Sequence, residues 1–196
     1  MKKLPLSFYD RDDVVQVAKD LIGKVLCTNV DGMVTKGIIT ESEAYAGVID
    51  KASHAFGGRR TDRTEIMFGN PGRSYVYLCY GVHSLFNVVT SKEGIPHAVL
   101  IRGIHPLEGT ETIVTRRKTK EPLHKIADGP GKLTKALGIE FRKHNNLDLL
   151  GDEVWIEDHS IAVKPEEIEI GPRIGIDYAG EDALLPYRFL WKYDRK

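Results

Sequence analysis

An Asp31-Gly32 pair stands between two runs rich in apolar and β-branched residues, 24–30 and 34–44. Asp-Gly flanked in this way marks a two-residue hairpin turn, whose central positions both need positive φ. The chain is therefore committed near its start to an antiparallel ladder. A second hairpin signal follows. Residues 73–80 are rich in aromatic and β-branched side chains, Gly81 interrupts them, and 83–90 reads as the return strand. Further strands are expected at 98–104, 154–156, 161–163 and 173–176. One helix is expected from Asp10 or Asp12 to about Ile22, closed by Gly23. Others are expected over 108–118 and over 132–137, the latter closed by Gly138. Strands in succession with helices at the edges predict an α+β, mainly antiparallel fold. A chain of 196 residues is long enough to bury a core of its own as one domain, 1–196.

Several classes fall away at this point. No stretch of 18 apolar residues exists, so no transmembrane helix is expected. The first residues carry two lysines but no apolar run behind them, unlike a secretory signal. The two cysteines, Cys27 and Cys79, have neither disulfide-framework nor zinc-knuckle spacing, which suits a reducing cytoplasm. The seven histidines form no HxxxH or HExxH pair, so no metal set is expected. Net charge is zero, which taken globally argues against nucleic acid. The distribution is uneven, however: residues 114–146 carry a net +6 and residues 147–185 a net −9. Such blocks are either two solvated faces or one positive and one negative functional surface.

Six places could carry chemistry. Glu41 and Glu43 end an apolar strand and alternate with Thr40, Ser42 and Ala44. By period-two geometry they share one face, opposite Ile38. A carboxylate there, beside a long loop, can act as a general base toward water, or can simply be solvated. That loop, 46–72, holds five glycines and a proline, and excursions of this length are usually functional or disordered. Tyr75 and Tyr77 share a strand face, and Tyr80 sits at a hairpin tip where no core residue belongs. An exposed aromatic at a tip can wedge between bases or cover a cleft, whereas Tyr75 and Tyr77 can also be cross-strand packing. Asn87 and Arg102 interrupt apolar strands and need partners, with Glu41 or Glu43 the candidates for Arg102. The loop from Asp128 to Lys132 opens a helix and could hold an anion, although Leu133 breaks the nucleotide P-loop pattern. Arg59, Thr61 and Arg63 follow Gly57-Gly58 in a second basic loop suited to phosphates.

Taken in order, these residues resemble the alkyladenine (3-methyladenine, methylpurine) DNA glycosylases of the mammalian type, which has bacterial members. The matching motifs are Glu41-Ser42-Glu43-Ala44-Tyr45, His54 with Gly57-Gly58-Arg59, Tyr75-Val76-Tyr77 with Tyr80-Gly81, Asn87, Arg102 before Pro106-Leu107-Glu108-Gly109, and Gly129-Pro130-Gly131-Lys132-Leu133. The resemblance runs from Asp20 to Gly175. It implies a single compact domain around a curved antiparallel sheet, and a monofunctional enzyme that excises alkylated or deaminated purines from double-stranded DNA. By resemblance Glu43 is the general base and Arg102 helps hold the attacking water. Tyr45, His54 and Tyr77 are walls around a flipped base, Asn87 a filter against the guanine 2-amino group, and Tyr80 the wedge. Arg59, Thr61, Arg63 and Lys132 lie near the DNA backbone. No metal or organic cofactor is implied, nor any state beyond a monomer, and the place of action is the cytoplasm, at the nucleoid. Three other readings use the same residues: a glycosylase with lyase activity, a damaged-DNA binder without catalysis, and a small-molecule acyl- or formyltransferase. His83 departs from the resemblance, standing where an aromatic residue is often found.

Overall fold

The Asp31-Gly32 turn takes the left-handed values it requires, φ 55° and 75°. In this computed structural model, which describes residues 2–193, the turn joins β2 (Val25–Val30) to β3 (Met33–Tyr45). Met1 and residues 194–196, the ends of the expected 1–196 span, lie outside the described residues. A short β1 (Lys2–Lys3) precedes these strands. After them come the hairpin β4 (Ser74–Cys79) and β5 (His83–Thr90), then β6 (His97–Glu108), β7 (Val154–Asp158), β8 (Ile168–Gly171) and β9 (Arg188–Trp191). They form one sheet in the order β1-β7-β2-β3-β6-β5-β4, with β9 on β3 and β8 on β9, and all pairings are antiparallel.

β3 organises the molecule. Its first half pairs with β2 and its last residues, Glu41 to Glu43, pair with β9, while β6 runs along its other side. The Glu41–Glu43 stretch therefore lies inside the sheet rather than at a solvated end. Two bulges sit there. Thr40 and Glu41 both stand opposite Gly103, and Arg102 has no partner on β3 between Gly103 and Ile101. A Cβ at Gly103 would come within 3.2 Å of Thr40 Oγ1 and 3.3 Å of Glu41 Cβ, so the crossing needs glycine.

Five helices flank the sheet: α1 (Leu6–Tyr9), α2 (Val14–Asp20), α3 (Thr110–Arg117), α4 (Pro130–Leu137) and α5 (Phe141–His144). The fold is thus α+β, as expected. Val17 and Leu21 of the α2 region, Ile113 of α3, and Leu133 and Leu137 of α4 close on Leu26, Ile39, Val99 and Ile101 of the sheet, all fully buried. Each such side chain contributes roughly 1.5–3 kcal/mol by leaving water.

Four boundaries differ from expectation. The cap of α2 is Asp13, whose side chain accepts from Gln16 N, because Asp10 already terminates α1. β6 continues past Gly103 to Glu108, tolerating Pro106. β5 pairs only with its first four residues, so beyond Leu100 no strand occupies that edge and no ladder there requires the N–H that Pro106 lacks; Ile104 N–H donates to the Ala127 carbonyl instead. Residues 161–163 and 173–176 are not strands; the sheet is completed by β8 and β9 instead. The reason at 173–176 is local, since the Ile174 N–H goes to a carboxylate and not to a ladder.

Candidate active site

Glu43 is fully buried, at 0 % exposure. A buried carboxylate is costly unless donors and a counter-charge surround it, and Glu43 has two hydrogen-bond donors and a guanidinium beside it. Ile174 N–H donates to Oε1 at 2.8 Å, Tyr45 Oη–H donates to Oε2 at 2.8 Å, and Arg102 Nε lies 3.3 Å from Oε1. Arg102 also bonds Glu41 at 3.2 Å, and Arg188 of β9 donates to the same Glu41 oxygen. Two carboxylates are thus balanced by two guanidinium groups. Arg102, for which Glu41 or Glu43 is the candidate partner, meets both, from the point where β6 has no partner on β3. Burial nonetheless pushes the Glu43 carboxyl above its ordinary value, against Arg102, the Ile174 N–H and Tyr45, which pull it down.

Glu43 itself lines no cleft, but three of the residues that touch it, Tyr45, Arg102 and Ile174, line one of about 440 Å³. Tyr45, His54, Tyr77, Asn87, Tyr80 and Arg102 all line it, so the six side chains expected beside Glu43 are brought together. His54 and Tyr77 form one wall, edge to face, with ring centroids 4.7 Å apart. Behind them Tyr75 is buried, its ring 5.5 Å from Tyr77. Arg63 covers the Tyr77 ring at 4.8 Å, and its Nη2 donates to His54 Nε2 at 3.0 Å. The same Nη2 lies 3.3 Å from His54 Nδ1, which is hydrogen-bonded to Tyr75 Oη at 2.8 Å, and because arginine only donates, the ring beside it is neutral. Burial and the nearby Arg63 and Arg59 agree with this neutral ring, lowering the His54 pKa to about 4. Asn87 is buried, and its Nδ2 donates to the Tyr75 carbonyl at 3.0 Å, which holds the amide in place.

Tyr80 is 94 % exposed and has φ 50°, followed by Gly81 at 72°. A large aromatic residue held outward in left-handed backbone costs about 1–2 kcal/mol, and such strain is characteristic of contact sites. The hairpin that carries it is braced by α4: a Cβ at Gly131 would sit 3.2 Å from His83.

A second cleft of about 340 Å³ adjoins the first across His54, Arg63 and Tyr178, and Lys51, Arg59 and Thr61 line it. Lys132 lines neither. Its ammonium donates to Glu121 at 2.9 Å and to Asp128 at 3.0 Å, so the loop at the start of α4 does not present a free cation. Sequence reasoning missed Ile174, Tyr178, Lys51, Arg188 and the buried Asp50–Arg173 pair. None has a spacing signal, since all reach the site from distant segments. Among the described residues, no group of three His, Cys, Asp or Glu is placed to hold a metal, and no helix is long and apolar enough to cross a membrane.

Fold and site define a class: an antiparallel α+β domain with a buried carboxylate behind an aromatic cleft and cations beside it. Comparison with known proteins narrows the class. The Methylpurine-DNA glycosylase (MPG) family profile matches residues 7–195. A protein of Bacillus cereus named as a 3-methyladenine DNA glycosylase is 48 % identical over 197 residues, covering 96 % of this chain and 95 % of its own. One of the same name from Chlamydia felis is 45 % identical over 188 residues, covering 95 % of each. The chain belongs to the methylpurine-DNA glycosylase family, and so to the DNA glycosylases of base excision repair.

Proposed function

We propose that this protein flips alkylated or deaminated purines out of double-stranded DNA and hydrolyses their N-glycosidic bond with a water activated by Glu43. The expected range is 3-methyladenine, 7-methylguanine, hypoxanthine and ethenoadenine. The observation that carries the reading is Glu43 itself, wholly buried and held by two hydrogen bonds and the Arg102 guanidinium directly behind residues that line the cleft. A carboxylate has about four acceptor positions. Two hydrogen bonds leave acceptor capacity for a water beside the Arg102 guanidinium. A binder without catalysis has no use for so costly a group, and no lysine lines the cleft to serve a lyase.

The other roles follow from position. A base inside a duplex cannot reach a buried carboxylate, so it must leave the stack at a cost of a few kcal/mol. Tyr80, at the hairpin tip, fills the gap it leaves. Tyr45 on one side and the His54–Tyr77 wall on the other stack the extruded base, worth roughly 1–3 kcal/mol per aromatic contact. A neutral His54 gives that wall no charge of its own. Asn87, tied to the Tyr75 carbonyl, cannot swing aside from a guanine 2-amino group. Arg102 holds Glu43 and the water, and the pair of carboxylates supports positive charge developing on the sugar. Arg59, Thr61 and Arg63, with Lys51, take the phosphates beside the flipped nucleotide; Lys132, ion-paired with Glu121 and Asp128, lines neither cleft and would meet the backbone from the start of α4. This chemistry needs no cofactor, and one copy of the chain acting at the nucleoid suffices.

Glu43→Gln tests the reading. Base release should fall by about 10³-fold or more, as for loss of a positioned base, while affinity for a duplex with an abasic site stays close to wild type. Equal loss of binding and release would make Glu43 a structural residue.

A further inference from the structure

The 173–176 segment is held by one buried ion pair. The Arg173 side chain is 0 % exposed and that of Asp50 is 1 %. Arg173 Nη2 donates to Asp50 Oδ1 at 2.8 Å and to the Asp182 carbonyl at 3.1 Å, and Nη1 donates to Asp50 Oδ2 and to the Ala44 carbonyl at 2.9 Å. Asp50 in turn accepts from Ala46 N at 3.0 Å and Ala52 N at 2.9 Å, which shapes the first turn after β3. The guanidinium also lies 4.8 Å from the Tyr45 ring and 5.2 Å from Tyr187. Arg173 does not line the cleft and Tyr45 does, so the cation backs the ring from inside the protein. One side chain thus ties the residue after Glu43, the first turn of the excursion, the 177–184 turn and the Tyr45 wall. The next residue in the chain, Ile174, places its N–H on Glu43.

We propose that Arg173 and Asp50 are positioning residues for base excision: their pair keeps the Ile174 N–H on Glu43 and the Tyr45 ring against the cleft. The proposal rests on the reading of Glu43 as the base. Its physical content is that a bidentate fork at a buried site fixes a plane, which a point charge cannot do. When the fork is lost, the 173–176 segment is released and Glu43 loses one of its donors. The groups that then still face Glu43 are Arg102 from β6, Tyr45 and Glu41 from its own strand, and Arg188 of β9 through Glu41. A carboxylate deprived of a hydrogen bond to its charged form titrates at higher pH.

The test is single-turnover release of hypoxanthine from duplex DNA, followed across pH, for wild type, Arg173→Lys, Asp50→Asn and Glu43→Gln. Arg173→Lys keeps the charge and removes the fork. It should move the acid limb of the rate profile up by about one unit, a tenfold loss below the limb, with the high-pH plateau largely kept and duplex affinity unchanged. Asp50→Asn should move the limb in the same direction. A profile scaled down evenly at all pH, or left as in wild type, overturns the proposal, as does loss of the folded state in both variants. Release by Glu43→Gln would instead remove the reading of Glu43 as base, whatever the two clamp variants show.

Discussion

The chemistry turns on a few side chains whose environment contradicts their type. Asn87 is an amide in an apolar strand, and its fixed Nδ2 makes it a rigid obstacle. Asn87→Ala should raise release of unmodified guanine relative to hypoxanthine, compared by chromatography of the freed bases; an unchanged ratio dismisses the filter. His54 is held neutral, with a pKa lowered to about 4 from 6.5. The unfolded chain therefore binds a proton at 6.5 that the folded one refuses until about 4, and stability contributed by His54 is lost as pH falls through that window. Urea midpoints of wild type should drop more steeply across it than those of His54→Gln, and parallel curves would contradict the neutral ring. At this scale the sequence was informative where a polar residue broke an apolar pattern, as at Asn87 and Arg102. It was silent on Ile174, whose contribution is a backbone N–H that any residue but proline carries.

The elements act through their irregularities. β3 and β6 were legible as strands, but their paired bulges at Thr40 and Arg102 were not. Gly103 only signals them once Thr40 and Glu41 are seen to crowd it. Those bulges turn Arg102 onto both glutamates. The β4–β5 hairpin was legible from Tyr80-Gly81, including the exposure of its tip. Because Tyr80 sits at φ 50°, Tyr80→Gly should relieve strain and melt no lower than wild type. It should also weaken binding to damaged duplex and slow excision there, while leaving release from single-stranded DNA less affected. Unchanged duplex rates would remove the wedge. At the α4 start the loop has the composition of an anion site, and its Lys132 is ion-paired with Glu121 and Asp128, a pairing that composition alone does not reveal.

For the whole molecule, the charge blocks misdirected attention. Part of the 114–146 excess is structural: Arg116 bonds the Val30 carbonyl and Thr35, and Arg117 bonds the Ile126 carbonyl and Glu121. The cations beside the cleft, Lys51, Arg59 and Arg63, come from the 46–72 excursion, where net charge is unremarked. Three phosphate contacts release about three counterions, so log affinity should fall with log salt at a slope of roughly −3, and Arg59→Ala should reduce it by about one. A flat response would contradict any role for that track. The fold's class could be read from turn signals because antiparallel ladders are specified locally. Its completion by β8 and β9 could not, because those strands are set by what β3 leaves unpaired. The central claim is that this assembly hydrolyses a glycosidic bond by a carboxylate alone. The most direct measurement is to incubate wild type and Glu43→Gln with hypoxanthine-containing duplex in EDTA, quantifying free base and strand integrity together. The account predicts free base and an uncut strand bearing an abasic site from wild type, and neither product from Glu43→Gln. Strand cutting with a borohydride-trappable adduct, or equal release by both proteins, would contradict it.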